Sequence, residues 1–292
     1  MTEKKFCMSN MTSGVSDPNW FKIKEIENDI FVIEEPGWVQ SYLVNGDDKS
    51  ILIDTGMGFL NIRKAVESIA KGPIDVVNTH WHFDHIGGNA LFDSIGIASI
   101  EADLIERDIT NEELIGILGI GFENSITLPR DFLLEDYRII GSKQNFTIKD
   151  GDFLNLGNRM IEVIATPGHT RGSMSFLDHR TRSLVTGLVI QDTLFAHFEE
   201  SDVESFIWSL KRVISRGDDI YRLLPTHGPY PLYNNFLNEV LAAFIEIEAG
   251  TEPDAIDHSW GPECYLYRFS TFEVLVKPPG MKGIKIFNKD KC

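Results

Sequence analysis

Four residues that can bind a metal ion lie within one short segment of the chain: His80, His82, Asp84 and His85. The segment directly follows a predicted strand, so His80 and His82, two residues apart, point in the same direction. Asp84 and His85 lie on the turn that follows and can face a second point close by. Neutral imidazole and carboxylate groups are the ligands that Zn²⁺ prefers in catalytic sites. The spacing therefore predicts a metal centre.

Two further histidines lie in loops that follow predicted strands. His169 is part of a Pro-Gly-His-Thr segment after the strand predicted at 160–165, and His227 is part of a Pro-Thr-His-Gly segment after the strand predicted at 221–224. Either residue alone would be more typical of a structural histidine. In a chain that also has the first cluster, metal binding becomes the better explanation for both histidines, because one metal needs a third imidazole and a second metal needs another ligand. We therefore expect both to bind metal.

The strands that must position these residues are short. They are rich in β-branched and aromatic residues, and turn-forming stretches separate them. The main segments of this kind lie at 30–33, 38–44, 50–54, 74–78, 160–165, 173–177, 183–185, 221–224, 265–268 and 272–277. The strand at 74–78 runs straight into the histidine segment, and its last residues therefore fix where the first ligands begin.

Helices are predicted between and after these strands. One follows an N-cap at Asn61, and another follows a capping box formed by Ser201 and Glu204. Strands followed by helices, twice over, with no internal repeat and no linker, predict one α/β domain at 21–292. A flexible arm is expected at 1–20.

The segment at 101–140 is less regular, and it could be a lid insertion. Its stretch 114–122 is apolar and rich in glycine but lacks a clean helical period. It could be a helix end packed on the core, a mobile lid that contacts an acyl chain over the active site, or a dimer surface. The sequence leaves these three alternatives open, and with them the question of a homodimer.

Charge and composition exclude several classes of partner. The chain has 27 Lys or Arg against 44 Asp or Glu residues, which gives a formal net charge of −17. Nucleic-acid backbones and anionic membrane surfaces would repel such a chain, so we expect neither as a partner. A small-molecule substrate is expected instead. The polar N-terminus, the lack of a long apolar run and three widely spaced cysteines predict a reduced, cytoplasmic protein.

The histidine pattern resembles the metallo-β-lactamase-fold hydrolase superfamily. The similar features are the His80-x-His82-x-Asp84-His85 segment, the loops of His169 and His227, and the upstream 52–56 strand-turn motif LIDTG; they span roughly 21–280. The resemblance implies a four-layer αββα sandwich of the α/β class, with metals at one edge of two sheets. It also implies that His80, His82 and His169 hold one metal, and that Asp84, His85 and His227 hold the other.

One position departs from the family pattern. The family usually has a bridging aspartate in a T-G-D segment, whereas this chain has Thr186-Gly187-Leu188. Leu188 is either a natural divergence or an engineered loss, or Asp192 reaches in from the next turn. The subclass B3 β-lactamases lack the bridging carboxylate and still bind two zinc ions. We therefore expect two Zn²⁺ with the second bound more weakly, with Mn²⁺ or Fe²⁺ as alternatives, and we expect Leu188→Asp to tighten the second.

The expected chemistry is hydrolysis. Zinc held by neutral imidazoles lowers the pKa of its bound water to about 7, and the resulting hydroxide can attack a carbonyl carbon. Asp84 is the expected catalytic residue, which orients the water and carries a proton to the leaving group. Asp54 could accept a hydrogen bond from a ligand histidine or could stabilise its own turn. Trp38, Met57 and His197 could border the pocket, although core packing is the simpler explanation for the first two.

The substrate is less well specified than the reaction. The superfamily includes lactonases, thioesterases, glyoxalase II enzymes, β-lactamases, nucleases and sulfatases, and the fold does not choose among them. The apolar stretch at 114–122 favours an ester, lactone or thioester with a hydrophobic portion. The alternatives are a β-lactam hydrolase with a similar site, a diiron oxygen or nitric oxide reductase, and a catalytically impaired ligand-binding protein that kept the fold without the bridging carboxylate.

Overall fold

The first sheet carries the strand that runs into the histidine segment. The computed structural model describes residues 17–121, 127–188, 193–258, 263–281 and 283. The seven strands of this sheet neighbour one another in chain order: β1 (Lys22–Glu27), β2 (Ile30–Glu35), β3 (Val39–Asn45), β4 (Ser50–Ile53), β5 (Ile74–Val77), β6 (Ile95–Ala98) and β7 (Phe146–Ile148). Strands β1 to β4 pair antiparallel and β4 to β7 pair parallel, with Ile53 opposite Val77. Because β4 and β5 are parallel, Asp54 and the histidine segment emerge at the same edge.

A second sheet of six strands carries the other two histidine loops. Its strands are β8 (Phe153–Asn155), β9 (Met160–Ala165), β10 (Met174–Asp178), β11 (Ser183–Thr186), β13 (Arg222–Pro225) and β14 (Leu232–Tyr233), in the order β14-β13-β11-β10-β9-β8. The loop between β9 and β10 carries His169, and the turn after β13 carries His227. Between β11 and β13 the chain forms a further strand, β12 (Thr193–Ala196).

A third sheet was not predicted from the sequence. It combines β12 with three C-terminal strands, β15 (Ala255–Asp257), β16 (Cys264–Arg268) and β17 (Glu273–Val276), in the order β12-β17-β16-β15. The two C-terminal strands expected from the sequence are therefore present, but they pair with two partners whose signals were too weak to predict. This sheet holds the loop that follows β12, which approaches the histidine cluster.

Helices cover the outer faces of the two large sheets. They are α1 (Ile62–Glu67), α2 (Phe83–Ile86), α3 (Ala102–Ile105), α4 (Asn111–Gly121), α5 (Val203–Ile214) and α6 (Asn235–Glu248). The Asn61 side chain caps α1 by accepting a hydrogen bond from the Lys64 amide, as predicted. None of the helices in the described parts of the chain is long and apolar enough to cross a membrane.

Three apolar layers hold the four structural layers together. Ile53 and Val77 of the first sheet pack with Val163 and Phe176 of the second. A separate cluster lies between the first sheet and α1, and another lies between the second sheet, the third sheet and α5 and α6. Each fully buried Ile, Leu or Phe contributes roughly 1.5–3 kcal/mol relative to an exposed one. The four-layer αββα arrangement predicted from the sequence is confirmed.

The start of α5 differs from the prediction. Its N-cap is Asp202, whose carboxylate accepts a hydrogen bond from the Ser205 amide at 2.8 Å. The Ser201 hydroxyl instead donates to the backbone carbonyl of His169 at 2.8 Å. The capping box of Ser201 and Glu204 is therefore wrong by one residue, because Ser201 is used to hold the His169 loop.

The predicted arm ends earlier than the sequence suggested. Trp20 is 4% exposed and packs in the cluster beside α1, and its indole Nε1 donates to the buried Glu35 carboxylate at 2.8 Å. An apolar side chain of this size is most stable when it is buried, which explains why the chain is fixed before residue 21. The rest of the predicted arm, 1–16, lies outside the described residues.

The segment at 101–140 packs on the first sheet in the parts that the structure describes. Leu114 of α4 is buried, and Ile109 pairs with Ile139 in a short antiparallel bridge. The Tyr137 hydroxyl donates to the Met57 carbonyl at 2.6 Å. These contacts favour the helix-end alternative for the beginning of α4. The lid and the dimer surface stay predictions, since the side chains at 117–126 lie outside the described ones.

Candidate metal centre

The first three predicted ligands come together at the edge where β5 and β9 end. One ring nitrogen from each of His80, His82 and His169 lies within 4.8 Å of the other two. All three side chains are buried. The sequence brought His80 and His82 together through alternation after a strand, whereas His169 reaches them only because the two sheets pack face to face.

Hydrogen bonds fix the orientation of the His80 ring. The Asp54 carboxylate can only accept, so the Thr79 hydroxyl donates its proton to Asp54 Oδ2 at 2.7 Å. That hydroxyl must then accept from His80 Nδ1, which lies 3.0 Å away. The proton of His80 is therefore on Nδ1, and Nε2 presents a lone pair. This Nε2 is buried without a hydrogen-bond partner.

The rings of His169 and His82 each turn a nitrogen with a lone pair toward the other. His169 Nδ1 donates to the Phe195 carbonyl at 2.8 Å, which leaves Nε2 as the acceptor. His82 Nε2 donates to the Glu200 carboxylate at 3.3 Å, which leaves Nδ1 as the acceptor. His169 Nε2 and His82 Nδ1 are 2.9 Å apart. Two lone pairs this close repel each other unless a cation attracts both.

A proton on His80 or His169 does not supply this positive charge. Burial lowers the pKa of both His80 and His169 well below the usual value, and the neighbouring histidines lower it further. Neutral imidazole is the form that binds a metal ion. His80 and His169 therefore offer neutral nitrogen ligands near physiological pH.

The second group has the same design with one carboxylate. His85 Nε2 lies 3.1 Å from His227 Nε2, and Asp84 Oδ2 lies 3.4 Å and 3.2 Å from these two atoms. His85 Nδ1 donates to Asp54 Oδ2 at 2.8 Å, and His227 Nδ1 donates to the Trp38 carbonyl at 2.9 Å. Both Nε2 atoms therefore carry lone pairs that face the Asp84 carboxylate when the rings are neutral.

Charges in the second group differ from those in the first. Burial raises the pKa of Asp84, but His85 and His227 outweigh it and hold that pKa well below the usual value. Burial lowers the pKa of His85, yet Asp84 and Asp54 raise it to about 10. A cation that binds here must displace a proton from His85, so binding weakens as the pH falls.

The residues fit a pair of zinc ions. Two ligand atoms that are each 2.0–2.1 Å from a tetrahedral zinc lie about 3.3 Å apart, which is close to the separations found within both groups. Five imidazole nitrogens and one carboxylate oxygen form a ligand set typical of zinc hydrolases. The groups adjoin, because the ring centroids of His80 and His85 are 4.1 Å apart. The assignment of the six side chains as ligands stays a prediction that this geometry supports.

Asp54 lies behind both groups. Its backbone has a φ of +62°, a value that costs a non-glycine residue free energy, and its side chain is fully buried. One oxygen accepts from the Thr79 amide at 2.7 Å, and the other accepts from the Thr79 hydroxyl and from His85. Of the two roles that the sequence left open, the structure therefore shows a contact with a predicted ligand.

Replacing Asp54 with asparagine should weaken metal binding without removing a ligand. The amide keeps the size of the side chain but cannot hold the His85 Nδ1–H with a negative charge. Loss of such a supporting carboxylate costs 10–100-fold in metal affinity as an order of magnitude. Titration of metal-depleted protein with Zn²⁺ against a competing chelator measures this loss. An affinity equal to that of the wild type would show that Asp54 only stabilises its turn.

The remaining residues that were predicted to border the pocket differ in their burial and contacts. Met57 is fully buried, and its amide donates to Glu35 at 2.8 Å, so its side chain packs in the core. Trp38 contributes its carbonyl to His227, while its ring packs edge-on against Phe59. His197 is 1% exposed, neither ring nitrogen has a hydrogen-bond partner, and burial lowers its pKa to about 4. Asp192 lies outside the described residues.

Leu188 occupies apolar surroundings. It is 1% exposed and belongs to the cluster between the second sheet and α5 and α6. An aspartate here would place its carboxylate among apolar side chains. We therefore no longer expect Leu188→Asp to tighten the binding of the second metal.

The revised expectation for Leu188→Asp is a loss of stability. An unpaired buried charge costs roughly 3 kcal/mol or more, so the free energy of unfolding should fall by about that amount with no gain in metal affinity. Chemical denaturation and a Zn²⁺ titration of the same preparation measure both quantities. Tighter metal binding at unchanged stability would instead place residue 188 beside the ligands.

Two carboxylates in this region were missed by the sequence analysis, the half-buried Glu200 and the buried Glu35. Glu200 accepts from His82 Nε2, and Glu35 accepts from the Met57 amide and from Trp20. Glu200 is 118 positions from His82 along the chain. No local pattern marks either residue in a chain with 44 acidic residues.

The comparison with known families covers most of the chain. A family model described as the metallo-beta-lactamase superfamily matches residues 36–252, and this range includes all six predicted ligands. The chain belongs to the metallo-beta-lactamase superfamily. As a member of this superfamily it is a metallo-hydrolase, and its candidate ligand groups agree with the metal that the family requires.

Similar proteins come from animals as well as bacteria. A human relative named acyl-coenzyme A thioesterase MBLAC2 is 29% identical over 228 residues, covering 71% of this chain and 81% of the relative. The chicken (Gallus gallus) protein of the same name is 26% identical over 249 residues, covering 77% and 88%. These superfamily members align with the chain over most of their own length.

Several solved structures show the same fold. A metallo-beta-lactamase from Pontibacter korlensis superposes with a TM-score of 0.53 at 19% identity, covering 77% of this chain and 99% of the other. The sec-alkylsulfatase Pisa1 from Pseudomonas sp. gives a TM-score of 0.62 at 15% identity and covers 78% of this chain. This chain spans 42% of the sulfatase. At such identities the likeness concerns the fold alone.

Proposed function

We propose that this metallo-hydrolase cleaves the thioester bond of an acyl-coenzyme A with two zinc ions held by the six predicted ligands. The observation that carries the proposal is that ligand-type nitrogen and oxygen atoms converge in two adjoining groups. The names of the human and chicken relatives favour a thioester over the ester and lactone that the sequence left open. The expected substrate with a hydrophobic portion agrees with an acyl chain.

The zinc ions would be held by His80, His82 and His169 on one side and by Asp84, His85 and His227 on the other. When bound there, zinc lowers the pKa of a bound water to about 7 and polarises the carbonyl oxygen of the substrate. Leu188 stands where the family usually has a bridging aspartate, which supports a second ion that binds more weakly than the first.

Asp84 is the residue placed to move protons. Its carboxylate is ionised, because His85 and His227 hold its pKa low, and its side chain is 19% exposed. One oxygen, Oδ2, faces the two histidines. The carboxylate can therefore accept a proton from the attacking water and pass it to the departing thiolate of coenzyme A.

Aromatic side chains beside the ligands provide an apolar surface for an acyl chain. The half-buried Phe198 ring lies 5.1 Å from His82 and 5.3 Å from His169, measured between ring centroids. On the other side, the half-buried rings of Trp38 and Phe132 both pack edge-on against the buried Phe59. Such surfaces exclude water from the reacting carbonyl and strengthen the electrostatic effects there.

A substrate panel tests the proposed function. Metal-replete protein is assayed for thiol release from acyl-coenzyme A substrates of increasing chain length, and for hydrolysis of an ester, a lactone and a β-lactam. We expect turnover of acyl-coenzyme A that rises with chain length, stops with chelator and returns with Zn²⁺. Hydrolysis of the β-lactam alone would contradict a thioesterase and support the alternative hydrolase. Metal binding without any turnover would support the catalytically impaired ligand-binding protein.

Other expectations from the sequence stay predictions. They are the cytoplasmic location, the small-molecule partner without nucleic acid or membrane, and the homodimer. Full activity of a monomer in solution would remove the homodimer from the requirements of catalysis.

A further inference from the structure

Glu101 is a buried acid that neither the predicted ligand set nor the proposed mechanism uses. It follows β6, is 2% exposed, and precedes α3. Its Oε1 accepts a hydrogen bond from the Gly172 amide at 2.9 Å. A carboxylate is rarely buried without a specific partner, because removing its charge from water costs several kcal/mol. Its position therefore calls for a reason.

We propose that Glu101 is a positioning residue for the first ligand group, joining the segment of His80 and His82 to the loop of His169. The proposal rests on the proposed metal centre and is independent of the substrate. Burial raises the pKa of the Glu101 carboxyl, whereas the hydroxyl of Thr170, the amide of Gly172 and the amide of Trp81 all act to lower it, although Oε2 forms no hydrogen bond of regular geometry with the described residues. Trp81 lies between the first two ligands, and the other two contacts follow the third.

The local backbone is shaped around this carboxylate. A Cβ built on Gly172 would lie 2.5 Å from Glu101 Cδ, so an alanine there could not fit without moving the loop or the acid. The glycine thus permits a close approach that a larger residue would prevent. Beyond Gly172, the next residue of the loop, Ser173, donates or accepts a 2.8 Å hydrogen bond with Thr170. The His169 loop is therefore held at two points close to its ligand.

The charge of Glu101 would also help to attract a cation to the first ligand group. The three histidines of the first group are neutral ligands, whereas the second group contains Asp84 and contacts Asp54. A dication in the first group would be attracted by Glu200, which contacts His82, and by Asp84, whose charge acts on His80 and His169; a charged Glu101 would add to this attraction. Burial raises the pKa of Glu101 to about 7, and the charge of Glu200 raises it too. A nearby cation would favour the charged form of both acids.

Three substitutions separate position from charge. Glu101→Gln keeps a side-chain oxygen for the Gly172 amide but removes the charge, and Glu101→Ala removes both. Gly172→Ala keeps the glutamate at position 101 but pushes its carboxylate away from the loop. If the alanine variant at 101 does not fold, the glutamine and Gly172→Ala variants still carry the test. Glu35→Gln is the matched control, because Glu35 is equally buried and contacts the Met57 turn instead of the His169 loop.

The readouts are Zn²⁺ affinity by chelator competition, the absorption spectrum of bound Co²⁺, and thermal unfolding of metal-depleted protein. We expect the tighter of the two affinities to fall about 10-fold in Glu101→Gln and up to about 100-fold in Glu101→Ala, in line with other residues that orient metal ligands. Gly172→Ala should fall between them. The Co²⁺ spectrum should shift in the Glu101 variants, while Glu35→Gln should leave the tighter affinity within about twofold of the wild type.

Each other result has a defined meaning. Unchanged affinity and spectrum in both Glu101 variants, with lower stability of the metal-depleted protein, would show that the residue only supports the fold and would overturn the proposal. A wild type that binds no metal would overturn it together with the metal centre. Failure to cleave acyl-coenzyme A, with the affinity losses as expected, would leave this role in place and contradict only the proposed substrate.

Discussion

His82→Ala is expected to abolish both metal occupancy of the first group and hydrolysis. The substitution removes Nδ1, the ligand atom 2.9 Å from His169 Nε2, and it also leaves Glu200 without its imidazole partner. With only two histidines left, the first group cannot complete a catalytic zinc site with three protein ligands. Metal per chain should fall from two to about one at most, and thioester turnover should fall by about 10³-fold or more.

A matched control separates this effect from a general effect of histidine loss. His179 is 40% exposed and contacts Glu162. It follows the last residue of β10, at the opposite end of that strand from the His169 loop. His179→Ala should keep metal content and activity at the wild-type level. Elemental analysis and thiol release, measured on both variants side by side, decide the matter. Full metal occupancy in His82→Ala would remove His82 from the ligands.

Asp84→Asn is expected to have the second large effect, mainly on the rate of the chemical step. Asparagine keeps the shape but cannot accept a proton, so the attacking water and the leaving thiolate lose their proton carrier. Loss of a positioned acid–base group costs roughly 10²–10⁴-fold in rate. Because Asp84 Oδ2 also faces His85 and His227, the second metal should bind more weakly as well.

The rate and the metal content must be separated in this variant. Activity is measured at Zn²⁺ concentrations that saturate the weakened site, and kcat and KM are determined for one acyl-coenzyme A. We expect kcat to stay low when metal is saturating, with KM changed much less. Asp93→Asn, which alters a carboxylate that is 97% exposed, serves as the control and should leave both unchanged. Recovery of kcat by added metal would limit Asp84 to a ligand role.

Part of the arrangement of the predicted ligands could be expected from the sequence, because local rules place several of them. Alternation after a strand places His80 and His82 on one side, and the parallel pairing of β4 and β5 brings Asp54 to the same edge. His169 and His227 were expected to bind metal because both follow predicted strands and the first cluster is too small for two metals, and the family resemblance then assigned each to one metal. No spacing in the sequence shows that β9 and β13 end beside β5.

The residues that orient the ligands could not be predicted in the same way. Glu200 contacts His82 and Glu101 contacts Gly172, both across long separations in the sequence, and their residue type is common in a chain with 44 acids. Their roles depend on burial, which is set by the packing of the sheets. The same reason explains the error at α5, where Ser201 fits a capping pattern but donates to the His169 carbonyl instead.

The third sheet shows the other limit of sequence reasoning. Its central strands β16 and β17 have strong patterns, but β12 has four residues and β15 has three. Strands this short carry too few residues for a periodic signal. Tertiary pairing stabilises them, and β12 in turn positions the loop of His197, Phe198 and Glu200 beside the ligands.

Metal stoichiometry is the most direct test of the central claim that two groups of side chains bind a pair of cations. The protein is purified without chelator, and zinc, manganese and iron are determined by elemental analysis together with the protein concentration. We predict two ions per chain, mainly zinc, with the second lost first on dialysis. Protein that contains no transition metal, and that takes up none when Zn²⁺, Mn²⁺ or Fe²⁺ is added, would contradict the claim.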